Sequence, residues 1–389
     1  HLYASMASFT DPLGKKPGST GNGIAVYNFE NGRVAPDKFF PLTPRTNIRG
    51  KLRRKEFDDV TYPAGLSVAN VNGIESILVA CNNSDEALLL SASDGRILRR
   101  FDLSTYKRIP ASLPYTTVMT RDGKRGFVSL WNASSIAELD LVSGRVLKIL
   151  PLEKPSAPLS GGSHPTALLL NHDDSSLYVA LTNRDKIIAI DTHDLKKQTV
   201  FFTKPLRQTY GGSDPQSLSL STDERFLFSA NAISDSVSAI DLTGKSRSGF
   251  IPTEWYPTVV LATPTQLLIA TAKGRSSGPN PKPIEKNHGD SHHYPYTPAL
   301  IHGSLAQIPL ADLPQHLEEY TKQTVTANSL RGNADKIQFA GGENKIRRVI
   351  YIIKENRTYD QVFGDLQHAD GDPSLTMYGE DITPNQHKL

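Results

Sequence analysis

The 389-residue chain is long enough for two or three domains of about 150 residues, or for one large β architecture with a piece attached. Hydrophobic residues make up 38%, charged residues 21%, and the formal net charge is only +3, which excludes a strongly basic nucleic-acid binder and an acidic disordered chain as whole-chain descriptions. A single cysteine, Cys81, excludes a disulfide framework and a Cys-rich zinc site, and no apolar run reaches the roughly 20 residues that span a bilayer as a helix.

Residues 2–5 read as a short strand, followed by a Gly/Pro insertion over 11–23, a second strand over 24–28 and an Asn31-Gly32 turn. The chain begins without Met or a leader, so both ends read as cut, and a signal peptide on the longer protein stays open. The run 45–55 is basic, yet Glu56, Asp58 and Asp59 follow at once and no aromatic residue lies within it. It reads as a loop between repeats rather than as a nucleic-acid or membrane patch.

From residue 62 the sequence repeats itself. Segments 62–96, 113–145, 164–195 and 214–245 align, with Pro63, Pro114, Pro165, Pro215 and Pro257 recurring about every 50 residues, the last interval shorter. In each copy the proline fixes φ at an entrance where no ladder donor is needed. An alternating strand follows (166–170 in the clearest copy), then a polar turn and a second apolar strand (177–181, 226–230). An Asn/Ser/Asp hairpin leads into a third strand ending in Asp (187–191, 237–241), and a short outer strand such as 145–150 closes the unit. Four short antiparallel strands per repeat make a β-propeller blade. Period-two alternation excludes a helical solenoid, and a sandwich would not repeat its sequence. A sixth copy begins at Trp255-Tyr256-Pro257, continues through 267–272 and ends over 299–310.

LYVALTN (177–183) and LFSANAISDSVSAIDL (227–242) resemble the YVTN-type propeller repeat family, a resemblance that covers most of residues 1–310. The expected fold is therefore all-β, with five full blades and one partial blade, the first lacking its first strand. Closed rings of that family usually have seven blades, so the resemblance implies one or more upstream of His1; an open ring would leave an exposed strand edge. The residues at the aligned entrances are mixed: Tyr62, Leu113, His164, Asp214 and Tyr256. His164 and Asp214 would lie near the central channel, either as ligand contacts or as partners in loop hydrogen bonds. The loop 285–298 gathers His288, Asp290, His292 and His293, which reads as a solvated insertion or as a transition-metal site without a rigid support.

After residue 310 the pattern changes. Residues 311–330 read as a short helix with Leu313, Leu317 and Tyr320 on one face, within a linker over 311–345. Residues 349–353 form a continuous apolar run, as in a parallel strand buried on both faces, and the run stops at Lys354-Glu355-Asn356. Thr358 can cap a helix over 359–363. Glu355 and Asn356 would then sit at the carboxyl end of a strand, where open α/β sheets place their sites. Two adjacent oxygen donors there suit a divalent cation, or merely a polar turn that caps the next helix. Arg357 can pair with a phosphate or with Asp360. The acidic stretch 370–374 fails the calcium-loop pattern, since Leu375 stands where glycine is required, and reads as a turn.

VIYIIKENRTYDQVFGDL (349–366) resembles the opening strand, loop and helix of the bacterial phosphoesterase family, relatives of phospholipase C and acid phosphatase in the alkaline-phosphatase superfamily. The resemblance implies a propeller over 1–310 followed, from 346 to 389, by the first strand and helix of an α/β domain. It implies Glu355 and Asn356 as ligands of a divalent metal (Ca, Mn or Zn), supported by Arg357 and Asp360, with the nucleophile downstream of Leu389. The longer protein would hydrolyse a phosphate ester in the periplasm or outside the cell. Its propeller would shape substrate access or recruit a protein partner, and the present piece alone would be inactive. Two alternatives stand beside this: a non-catalytic binding propeller, and a lactonase-like enzyme in the propeller channel. The second needs acidic, Asn and His residues converging from several blades, and the mixed entrances count against it.

Overall fold

The computed structural model describes the chain apart from residues 9, 44–59, 106–108, 110, 154–160, 205–211, 246–247, 276–300, 329–338, 340, 343–345 and 354. It divides into two compact units, His1–Gly332 and Asn333–Leu389.

The first unit is a six-bladed β-propeller, one antiparallel sheet per repeat. Blade 1 holds β1 (Leu2–Met6), β2 (Gly23–Glu30) and β3 (Arg33–Pro41). Blade 2 holds β4 (Pro63–Val71), β5 (Ile74–Cys81), β6 (Glu86–Ser91) and β7 (Ile97–Asp102), and blade 3 holds β8 (Pro114–Met119), β9 (Arg125–Leu130), β10 (Ser135–Asp140) and β11 (Arg145–Pro151). Blade 4 is β12 (Pro165–Leu170), β13 (Ser176–Leu181), β14 (Lys186–Asp191) and β15 (Gln198–Phe202). Blade 5 is β16 (Pro215–Leu220), β17 (Phe226–Asn231), β18 (Ser236–Asp241) and β19 (Gly249–Pro252). Blade 6 is β20 (Trp255–Ala262), β21 (Gln266–Gly274) and β22 (Ser304–Pro309). Among the described residues four blades are thus four-stranded and two are three-stranded, where five full blades and one partial blade were expected. Blade 6 stops at three strands because α1 (Leu313–Ala327) follows β22. Leu313 and Leu317 of α1 sink into the core shared by blades 5 and 6.

Hydrophobic layers lie between successive blades. Ile24, Val26 and Phe40 of blade 1 meet Ile77, Val79 and Leu88 of blade 2, and Leu78 and Leu89 of blade 2 meet Val128 and Leu130 of blade 3. Second strands such as β5 and β9 are buried on both faces over most of their length, which explains apolar stretches such as 77–81 and 127–128.

Each blade is also clasped to the next. The residue before the anchor proline is left-handed in four successive blades: Leu113 (φ 50°), His164 (49°), Asp214 (59°) and Tyr256 (62°). That region costs on the order of 1–3 kcal/mol for a non-glycine residue, so the surroundings must hold it. The hairpin between the second and third strands of the preceding blade does so. Asp85 Oδ1 accepts the Ser112 and Leu113 amides at 3.1 and 3.2 Å, and Ser134 Oγ accepts the Ser163 amide at 2.9 Å. The Asp185 carboxylate accepts the Gly212 and Ser213 amides at 3.0 and 2.7 Å, and Asp235 Oδ1 accepts the Tyr256 amide at 2.8 Å. Within its own blade each entrance is held as well: the Leu113, His164 and Asp214 carbonyls accept the amides of Trp131, Thr182 and Ala232. The Asn/Ser/Asp hairpin in the repeat is therefore the joint between blades.

In the second unit, the expected first strand of an α/β layer is not formed. Residues 349–353 carry no strand hydrogen bonding and are between 75% (Ile352, Ile353) and 87% (Ile350) exposed. An apolar run becomes a doubly buried strand only when neighbouring strands accept its backbone, and among the described residues no sheet forms in this unit. The helix after it does form: α2 (Tyr359–Phe363) begins at Thr358 with a reciprocal capping box to Gln361. A second short helix, α3 (Pro384–His387), ends the unit. No helix among the described residues is long and apolar enough to cross a membrane.

Candidate functional site

The first strands of blades 3 to 6 are the edge strands β8, β12, β16 and β20, and their entrances converge on a cavity of about 750 Å³. Two tiers line it. The left-handed residues His164, Asp214 and Tyr256 form the rim, together with residues from the ends of second strands, Trp131, Thr182 and Asn183. The residue after each proline (Tyr115, Thr166, Gln216 and Thr258) forms the floor. Left-handed backbone turns each rim side chain out of the ladder that its neighbours join, so the clasp that fixes the blades also displays the site.

The rim groups differ in chemistry. The His164 ring stacks on Trp131, centroids 3.8 Å apart and 20° between planes. Burial, then the charge of Arg184, holds its imidazole below the usual value of 6.5, which favours the neutral ring. Burial is also the main reason that the Asp214 carboxyl lies above its usual value; the Asp185 charge adds to it, and the Gln216 amide, donating to both oxygens at 3.0 Å, opposes it. Burial, then the charge of Asp214, raises the Tyr256 phenol, so it stays a hydrogen-bond donor, and Lys273 Nζ lies 4.5 Å from the centroid of its ring. Neutral donors and acceptors from Thr166, Thr182, Gln216 and Thr258 complete the wall, with Thr166 and Thr182 hydrogen-bonded to one another. A flat hydroxylated ring fits such a chamber: an aromatic stack on one side, hydroxyls and amides around it, one neutral base, and two carboxyl residues, the half-buried Asp214 and the buried Asp185.

The entrance positions were visible in the sequence as equivalent residues, but their left-handed backbone and convergence were not. The signal was the hairpin Asp or Ser placed ahead of each entrance, which is Ser-x-Pro in blades 3 to 5 and Trp255-Tyr256-Pro257 in blade 6. Trp131, Thr182 and Asn183 carried no sequence signal beyond following a second strand.

The residues expected from the C-terminal motif are placed differently. Glu355 and Asn356 are both exposed, Asn356 with φ 91°. Arg357 donates to the Asn356 carbonyl and, at 3.0 Å, to the Tyr378 hydroxyl, while Asp360 Oδ1 accepts the Asp372 amide at 3.1 Å. Glu355 and Asn356 thus offer two oxygen donors side by side, and among the described residues no three His, Cys, Asp or Glu side chains gather as a metal site. His288, Asp290, His292 and His293 lie outside the described residues.

No family model matches the chain, and no curated protein matches it. Among solved structures, virginiamycin B lyase from Staphylococcus aureus is 17% identical, with 69% of this chain and 81% of that chain covered and a TM-score of 0.45. A 6-phosphogluconolactonase-like protein from Bacteroides uniformis is 17% identical, with 69% and 74% covered and a TM-score of 0.48. The periplasmic gluconolactonase of Pseudomonas aeruginosa is 14% identical, with 65% and 67% covered and a TM-score of 0.46. At these values the likeness carries no argument about activity, and the architecture rests on the strand pairing. The expectation of phosphate-ester hydrolysis is corrected: the run 349–353 that was to open its domain is exposed and forms no strand.

Proposed function

We propose that the chamber formed by blades 3 to 6 binds a cyclic ester of a hydroxylated acid and opens it with water. The observation that carries this reading is the pairing of His164, lowered in pKa and stacked on Trp131, with the half-buried carboxyl of Asp214 in one chamber of ligand size. The sugar-lactone activities named for two similar structures suggest the substrate class. Neutral His164 takes a proton from water as the water oxygen bonds to the ester carbonyl carbon. The Tyr256 hydroxyl donates to the carbonyl oxygen as it gains charge. The ring C–O bond then breaks, the proton passes from His164 to the departing alkoxide, and the open hydroxy acid remains. Asp214 accepts a substrate hydroxyl and fixes the ring on the Trp131–His164 stack.

Ring opening of a panel of sugar lactones, followed in a pH-stat above the spontaneous rate, tests this. His164→Ala should lower kcat by about 100- to 1,000-fold. The wild-type rate should fall with acid through a midpoint below 6.5, because the base is lost when His164 gains its proton. No acceleration of any lactone would leave a binding propeller as the reading that stands.

A further inference from the structure

A second, narrower chamber of about 370 Å³ adjoins the first. The two share Tyr115, Thr166, Gln216 and Thr258, the four residues that follow the anchor prolines, so these form a neck between them. Beyond the neck the wall comes from the next positions along the same inner strands, including Thr116, Ala167, Ser217 and Leu218. The chemistry changes sharply there. His164, Asp185 and Asp214 all lie in the wide chamber, and among the described residues the only ionisable side chain lining the narrow one is the phenol of Tyr115 at the neck. Its small residues, Ala167 and Ser217, leave room along the strands. As sheet edges, β8, β12, β16 and β20 each carry one row of main-chain groups outside their ladders, part of it taken by side-chain hydroxyls: Ser129 accepts the Thr116 amide, Ser217 the Val260 amide and Ser219 the Ala262 amide. A neutral wall of hydroxyls, an amide and strand edges suits a hydroxylated chain without charge.

Resting on the proposed lactone opening, we infer that the substrate is longer than one ring: a lactone carrying a further sugar unit. The reacting ring sits in the wide chamber, and the neutral unit passes the neck into the narrow one. The carboxyls and imidazole of the wide chamber then lie on the ester's side, and the tail meets hydroxyls, one amide and the apolar Ala167, Leu168 and Leu218.

Calorimetry with two unreactive probes, gluconolactam and its maltose-derived counterpart, separates the two ideas. The disaccharide probe should bind at least about tenfold more tightly than the monosaccharide probe. Ala167→Phe, which fills the narrow chamber, should bring the ratio of the two dissociation constants close to one. Ala167→Val should reduce the ratio partway, and it serves if the larger residue impairs folding. Equal affinities in the wild type overturn the longer substrate and leave ring opening intact. A tenfold preference in a protein that opens no lactone keeps the two-chamber saccharide site and discards the reaction. If neither probe binds, the inference falls.

Discussion

His164, Asp214 and Tyr256 owe their place to hydrogen bonds made by other side chains, and Asp185 makes the most of them. Its carboxylate takes the Gly212 and Ser213 amides and the Ser213 hydroxyl, the last at 2.9 Å, while almost wholly buried. Asp185→Ala leaves those donors without an acceptor and should cost about 2–4 kcal/mol in urea denaturation. It also removes one of the charges that raise the Asp214 carboxyl, so carboxyl NMR should show the Asp214 pKa falling. A loss below about 0.5 kcal/mol would mean that the entrance holds its own left-handed backbone. The mixed entrance residues, which as a sequence counted against a channel site, take on another meaning once they converge: an asymmetric ligand needs a different group from each blade. The αL backbone itself was not legible, because a Ser-x-Pro triplet does not fix the φ of x until a neighbouring hairpin supplies the acceptor.

Elements were legible where their partners lay in the same repeat. The strands of blades 2 to 5 alternate, carry their own turns and pair with their immediate neighbours in sequence, so local pattern and final structure agree. The run 349–353 has the composition of a central strand, yet composition supplies no hydrogen-bonding neighbour, and it stays exposed. Helix α1 lies between these cases: its apolar spacing predicts the buried face, and blades 5 and 6 provide the core. Leu317→Ala should therefore cost about 2–5 kcal/mol, whereas Glu318→Ala on the exposed side should stay within about 0.5 kcal/mol in the same denaturation. In the second unit α3 is fastened by His387, whose Nε2 meets Asp365 Oδ1 and whose Nδ1 meets the Thr383 carbonyl, both at 2.9 Å. Only the doubly protonated ring donates to both. The Asp365 hydrogen bond is the main reason that His387 lies above 6.5, and the Thr383 carbonyl and the charges of Asp365 and Glu380 add to it; Asp365 itself is lowered and keeps its charge. The fastening is thus complete below 6.5 and is lost as pH rises through the folded value above it. Imidazole NMR should place the His387 midpoint above 6.5, with faster amide exchange in 384–387 on the alkaline side; a midpoint at or below 6.5 would contradict the pairing.

Across the whole propeller, the same sheet face meets different fates according to the blade that bears it. In blade 5, Phe228 pairs with Ser219 and Ala230 with Ser217, and this face is buried against Val260, Leu267 and Ile269 of blade 6. The register places Leu261 opposite Leu268 and Val259 opposite Ala270 at the equivalent positions of blade 6. There Val259 is 49%, Leu261 52% and Leu305 64% exposed. The repeat writes apolar residues for a face that nothing covers among the described residues, so identical sequence logic should give unequal energies. Phe228→Ala should cost about 3–5 kcal/mol, since it empties a fully buried site between two blades. Leu261→Ser should stay within about 0.5 kcal/mol and raise solubility, because water already reaches that side chain. Both values come from urea denaturation of dilute protein, where self-association is absent. A Leu261→Ser loss comparable to that of Phe228→Ala would show that this face is packed in solution and that the propeller closes on it.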